Sequence, residues 1–293
     1  MIDIATSKWA KWVLIGIFVF EIIFLYAPVT LLYIFSFNEG SVVGFPFVGF
    51  SLDWYETAFT NRGLLLSIRT SATIALMSST ASIVVGLLMA IPLARRKFKA
   101  KTPIMALVLS PLVVPHLVFG VALLITFRSV DVLTNGVLEF PLSLPAVAIG
   151  HVVVLMPLIV LILIPRLQRI DAHLEEAAQD LGASGWRTFR TIILPLIAPA
   201  LAAAYVISFI ISFNEYAVAV FVSGPVTTFP IFVLAELQVP VRVPQIIAIS
   251  VVVVTISLLV VVGAEVMRRV FERRYRVLSQ TAGLLGVADA DTE

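Results

Sequence analysis

The sequence predicts an all-α integral membrane protein, and three observations carry that prediction. Of the 293 residues 60% are hydrophobic, with a mean hydropathy of +1.07, well above ordinary soluble domains. Six apolar runs are long enough, at roughly 20 residues each, to cross about 30 Å of hydrocarbon as helices. In such a solvent every backbone group must be satisfied internally, and the length and period of these runs suit helices rather than barrel strands.

The runs occupy 13–37, 64–94, 103–127, 142–165, 192–222 and 243–267. The first follows Lys8 and Lys11; it is too long for a signal-peptide core and lacks a clear small-residue cleavage site, so it is expected to be retained. The second and fifth exceed the length of a span, which predicts tilt, breaks or extension into water. Pro111 and Pro115 in the third run, Pro157 in the fourth and Pro92 near the end of the second are either joints or prolines tolerated by surrounding packing. The residues 277–293, rich in Gly, Ala and acidic side chains, are expected to form a flexible end. The whole of 1–293 is expected to be a single transmembrane domain. Without a cysteine the chain has neither a disulfide framework nor a thiolate metal site.

Orientation follows from Lys and Arg, which accumulate in cytoplasmic loops. Alternate loops carry Lys8 and Lys11, the stretch ARRKFKAK, then Arg166, Arg169, Arg187 and Arg190, then Arg268, Arg269, Arg273, Arg274 and Arg276. The opposite loops hold only Arg62, Arg69, Arg128 and Arg242. Both termini are therefore expected in the cytoplasm. The basic clusters are short, sit at membrane edges and lack interleaved aromatics, which argues against nucleic acid; ARRKFKAK is expected to anchor the chain against anionic lipid. On the outer side, Phe45, Phe47, Phe50, Trp54 and Tyr55 suit an interfacial aromatic belt.

One stretch is unusually polar. The stretch EEAAQDLGASGWRTFRTIILPLIAPAL, residues 175–201, begins in the cytoplasmic loop 166–191 and runs into the fifth span. Asp171 is a candidate N-cap, Glu175 and Glu176 fall where the helix dipole favours negative charge, and Gly182 can end the helix in a left-handed C-cap. Ser184 can then cap a second helix carrying Trp186, Arg187, Phe189 and Arg190. Pro195 and Pro199 fall in the first turns of the helix that re-enters the membrane, where proline is best tolerated. A helix, a glycine bend and a second helix make a projecting knob.

Glu176-Ala177-Ala178, three residues, Gly182, nine residues, Ile192, one residue and Leu194-Pro195 together resemble the EAA loop of binding-protein-dependent ABC transporter permeases. The resemblance extends from the first helix to about Arg274 and is strongest to the second permease subunit of spermidine/putrescine-type importers. It is carried by SFNEG, SLDWYETAF, GLLMAIPLARRKF, SPLVVPHLVFGVALL, GHVVVLMPLIVLILIPRLQRID and SFIISFNEYAVAVFVSGPVTTFPIFVLAEL. It implies a type I importer permease fold whose knob is a coupling helix docking on a separate ATP-binding subunit. Glu176, Ala177, Ala178 and Gly182 would then be the transmission contacts, with Asp180 and Arg187 as rim charges. It also implies a second, different permease subunit, an external solute-binding protein facing the loop 38–63, and ATP with Mg held entirely by partners.

The chain itself has no G-x-x-x-x-G-K-[ST] phosphate loop and no H-E-x-x-H pair, so no cofactor and no enzymatic activity of its own is expected. An intramembrane hydrolase using His151 and a serine lacks a nucleophile elbow and a local acid partner, and a noncatalytic scaffold leaves the EAA spacing unexplained. His116 and His151 read as interhelical hydrogen-bonding groups or as substrate contacts, and His173 is scattered from both.

Ionisable residues inside spans mark functional candidates. Glu21 lies midway along the first helix, where it contacts substrate or faces the partner permease. Asn214-Glu215-Tyr216 lies late in the fifth run, flanked by Phe209, Phe213 and Phe221. Glu215 can receive a cation by charge, with Tyr216 and Phe213 offering ring faces, or can make an interhelical hydrogen bond in protonated form. The resembling family usually carries acidic residues here; Asn214 departs from that pattern. Polyamines are the expected substrate class, with opines, amino-acid derivatives, phosphonates and oxyanions as alternatives.

Overall fold

The computed structural model describes residues 8–137 and 140–288. Along these the chain forms α1 (Lys8–Phe35), α2 (Asp53–Thr60), α3 (Arg62–Arg95), α4 (Lys101–Leu109), α5 (His116–Leu133), α6 (Leu144–Gln168), α7 (Ala172–Asp180), α8 (Gly185–Thr188), α9 (Leu194–Phe213), α10 (Ala219–Val222), α11 (Phe229–Glu236) and α12 (Val243–Ala288). Among the described residues six helices are long and apolar enough to cross a membrane, as the six runs predict. The only β pairing among them is an isolated antiparallel bridge between Asn38 and Phe50.

The chain packs as two units. The first comprises residues up to Leu65 together with Val233–Ile256. Its helix α1 is apolar on all sides and buries none of its spanning window, as a helix does when lipid or another protein is its neighbour; Glu21 is exposed on it. Tyr33 Oη and the Thr255 hydroxyl are 2.6 Å apart. The segment after α1 is folded by its own side chains: Asn38 Oδ1 accepts from Val48 N at 3.0 Å, Trp54 Nε1 donates to Asn38 O at 3.0 Å, and Tyr55 Oη donates to Ser36 Oγ at 2.7 Å. Phe50 stacks on Phe37 with centroids 5.1 Å apart, and Phe45 meets Phe35 edge-on at 5.2 Å. The aromatics expected in an interfacial belt thus also build this loop.

The second unit comprises Leu66–Phe232 and the chain from Ser257. At its centre is α6, which buries residues on all sides, Val147, Leu155, Ile159 and Leu163 among them. One apolar cluster joins Ala90 of α3, Ile159, Leu163 and Leu167 of α6, and Ile197, Ala200 and Ala204 of α9. Another joins Ile74, Phe127, Val147 and Val154 to Val218, Ala219 and Val222 around α10. Small residues let α3 and α6 approach closely. A Cβ placed on Gly86 would lie 2.6 Å from Ile159 Cγ2.

Two predicted spans are corrected. The run 103–127 is not one helix: α4 ends in a 3-10 turn at Ser110–Leu112, and α5 begins at His116. Pro115 lacks an N–H and crowds the carbonyl of Pro111, and each proline disfavours helical backbone in the residue before it, so the spanning helix lies further on, over His116–Leu133. The run 192–222 is also divided. Helix begins at Gly185 and passes through a π turn at Phe189–Ile193, where Leu194 N reaches back to Phe189 O, just ahead of Pro195. It then runs to Phe213 and stops, and α10 starts only at Ala219. The knob's second helix and the re-entering helix are therefore one. By contrast α3, at 34 residues or about 51 Å, is unbroken through Pro92. Finally, α12 continues to Ala288, through most of the stretch expected to be flexible; residues 277–288 hold no proline to stop it. Residues 289–293 lie outside the described chain.

Gly86→Ala is expected to cost about 1–3 kcal/mol of stability in detergent by overpacking against Ile159. Combined with Ile159→Ala, the total loss should be smaller than the sum of the single losses; additivity within about 0.5 kcal/mol would contradict the close approach.

Candidate functional site

Two places combine polar chemistry with unusual backbone. The first is the knob 166–191. Asp171 caps α7, its side chain accepting from His173 N at 3.0 Å. The far end closes as a Schellman motif: Ala183 N donates to Ala178 O at 2.9 Å and Gly182 N to Gln179 O at 2.8 Å, with Gly182 at φ +80°. A Cβ at Gly182 would meet nothing within 4 Å, so glycine is required here by backbone conformation rather than by space. Ser184 then caps α8, accepting from Arg187 N at 3.3 Å.

The bend leaves Glu176, Ala177, Asp180 and Gly182 exposed and Ala178 half-buried. Leu181 and Trp186 beside them are 89% and 70% exposed, an apolar surface on a polar projection. Glu175, expected only to complement the helix dipole, has a tertiary partner: its Oε1 lies 2.7 Å from Arg95 Nη2, while Arg95 Nη1 donates to Ile170 O at 2.9 Å. Arg95 thereby ties the knob to the end of α3. Within ARRKFKAK this residue departs from the expected lipid anchor, and its 75-residue separation from Ile170 left no local signal. Glu176 Oε2 receives His173 Nδ1 at 3.0 Å. That hydrogen bond, helped by the charge of Asp171, raises the His173 pKa above the ordinary histidine value.

The second place is the break between α9 and α10. Asn214 caps α9, its Nδ2 donating to Ile210 O at 2.9 Å, and its side chain is exposed. Glu215 is only 8% exposed. Its Oε2 accepts from Val218 N at 2.9 Å and Ala219 N at 3.2 Å, holding the amide groups that begin α10. His151 Nε2 lies 3.4 Å from the same oxygen, and His151 Nδ1 is 2.7 Å from Ser212 Oγ, itself 2.7 Å from Ser78 Oγ. Ser78, Ser212 and His151 Nδ1 form a hydrogen-bonded run, and the other ring nitrogen of His151 faces Glu215 at the ion-pair distance of 3.4 Å. On the other side, His116 Nδ1 stands 3.6 Å from Glu215 Oε1. Tyr216 is half-buried beside it, and Phe213 stacks with Phe209 at 6.3 Å and tilts against Phe229 at 5.6 Å.

Neighbouring glycines fix the break in place. A Cβ on Gly120 of α5 would come 2.8 Å from Ala217 O, and one on Gly150 of α6 would come 2.8 Å from Val218 Cγ1. The sequence finds no acid partner for either membrane histidine; the fold supplies Glu215 to both. Asn214, Glu215 and Tyr216 are brought together with them, whereas Glu21 lies in the other unit. Among the described residues no cluster of metal-ligating type is formed.

A buried serine-histidine-carboxylate seam beside a helix break, together with membrane-length helices and a capped polar knob, fits a transport permease. Residues 82–277 match the family of binding-protein-dependent transport system inner membrane components, and the chain belongs to that family: it is a permease subunit of an ABC importer and a multi-pass inner-membrane protein. It is 31% identical over 247 residues to the spermidine/putrescine transport system permease protein PotC of Escherichia coli K12, covering 84% of this chain and 90% of PotC. To the putrescine transport system permease protein PotI of the same strain it is 29% identical, over 78% of this chain and 80% of PotI. The fold is similar to that of a bacterial ABC transporter involved in import of the acidic polysaccharide alginate, with TM-score 0.68 at 18% identity over 91% of this chain and 97% of the other.

By NMR, His173 should titrate above the ordinary histidine value and return towards it in Glu176→Gln. Because its pKa is raised on folding, the pair's contribution should be complete below the ordinary value and fade as pH climbs through the raised one; a titration indifferent to Glu176 would contradict the pairing.

Proposed function

We propose that this chain forms half of the translocation pathway for a small cationic solute, a polyamine such as spermidine or putrescine. The observation that carries this reading is Glu215, a carboxylate that is 8% exposed at a break in a membrane helix, beside Tyr216 and Phe213. A buried acid in a span is costly to keep, and a cation is the ligand it favours. Similarity to PotC and PotI supports the same class.

The energy comes from partners. Two ATP-binding subunits hold ATP and Mg, and one of them receives the knob of this chain through Glu176, Ala177, Ala178 and Asp180, with the Gly182 bend setting the angle of α7 to α8. Alanines at 177 and 178 allow close approach, and exposed Leu181 and Trp186 supply apolar contact area. A second permease completes the pathway, an external binding protein delivers solute, and both termini face the cytoplasm. ATP-driven closure of the partners moves the knob and alternates the pathway between outside-facing and inside-facing states.

Glu215→Gln keeps an oxygen for Val218 N and Ala219 N but removes the charge. In vesicles holding the assembled complex and binding protein, uptake of labelled spermidine and putrescine should fall at least about tenfold, the effect of roughly 1.4 kcal/mol; undiminished uptake would remove Glu215 from the pathway. Gly182→Asp strains the left-handed bend by about 1–2 kcal/mol and should abolish uptake while the chain still inserts. Retained uptake would sink the coupling assignment.

A further inference from the structure

The two oxygens of Glu215 are not equivalent. Oε2 accepts hydrogen bonds from Val218 N and Ala219 N, and His151, whose side chain is 2% exposed, lies 3.4 Å from the same oxygen. Oε1 makes no hydrogen bond among the described residues; its neighbour is His116 Nδ1, at 3.6 Å and on a side chain 41% exposed. His151 is locked between Glu215 and Ser212 in the core of the unit. His116, by contrast, is the first residue of α5, directly after the proline-broken joint Ser110–Pro115, and among the described residues its ion-pair contact is with Glu215. One oxygen accepts from the backbone of the break, and the other faces His116, whose side chain is 41% exposed.

We propose that His116 is a specificity-determining residue that occupies the approach to Glu215 Oε1 and is displaced by the ammonium group of the incoming solute. This rests on the reading of the solute as a cation. The exchange requires no rearrangement of the break, because the Val218, Ala219 and His151 contacts all fall on the other oxygen. It sets a threshold: a solute enters only if its charge and donors outweigh the imidazole contact at a buried carboxylate. A neutral or anionic solute gains nothing at Oε1 and leaves His116 in place. Distance decides the asymmetry, since 3.6 Å is beyond a good hydrogen bond, whereas an ammonium can close to about 2.8 Å.

The test is a charge series at 116, measured as KM and kcat for polyamine uptake by the complete reconstituted complex with its binding protein held saturating. His116→Lys places a fixed cation before Oε1 and should raise KM at least about tenfold. His116→Gln removes the possibility of charge at similar size and should lower KM several-fold, so the order in KM is Lys above wild type above Gln. Should His116→Lys fail to assemble, the fall in KM for His116→Gln alone carries the result. A KM unchanged across the series, or raised by both substitutions, or a loss confined to kcat, would overturn the displacement of His116 while leaving the cationic reading intact. Absence of polyamine uptake by an ATPase-competent wild-type complex would overturn the cationic reading and this inference together.

Discussion

A carboxylate this deeply buried cannot stand without donors, and the second unit is arranged around giving Glu215 its donors. Two come from the backbone at the start of α10 and a third approach comes from His151. The helix must therefore stop at Phe213 and restart at Ala219, because an uninterrupted helix would consume those N–H groups in its own ladder. The break in turn demands glycine at 120 and 150, where neighbouring helices close on it. Ser212 and Ser78 extend the polar contact to α9 and α3, and apolar clusters pack in the same unit.

The architecture was legible because hydropathy alone selects spanning helices in a solvent that forbids other backbone. What hydropathy cannot see is interruption. In the run ending at Val222 the polar Asn214-Glu215-Tyr216 stand out as candidate site residues, but hydropathy averaged over the run does not mark them as a stop; the stop accompanies a side chain that captures backbone donors. The third run did carry its own marker in Pro111 and Pro115, yet the apolar count over 103–127 hid the fact that the spanning helix starts beyond them. Pro195 does fall in the first turn of α9, as expected, but a π turn at Phe189–Ile193 joins that helix to the one before it.

The knob was readable nearly residue by residue, because capping is local chemistry: Asp171, Gly182 and Ser184 each act within a few residues of themselves. Its tether was not, since Arg95 and Glu175 meet only after α3 and α6 have packed. The same limit applied at the break. Asn214, Glu215 and Tyr216 were evident as polar residues in an apolar run, but the two histidines that face Glu215 come from α5 and α6, and sequence spacing gives no hint that three distant groups converge.

Glu215 holding the helix break, by accepting from Val218 N and Ala219 N, is the interaction on which the rest depends. Its most direct test is amide hydrogen exchange at these two positions in the assembled complex, wild type against Glu215→Ala. Charge-assisted hydrogen bonds of about 1.5–3 kcal/mol predict protected amides in wild type that exchange on the order of tenfold or more faster in the variant, while amides in the middle of α6 keep their protection. Equal protection of Val218 and Ala219 in both proteins would show that the break stands without the carboxylate, and would contradict the account.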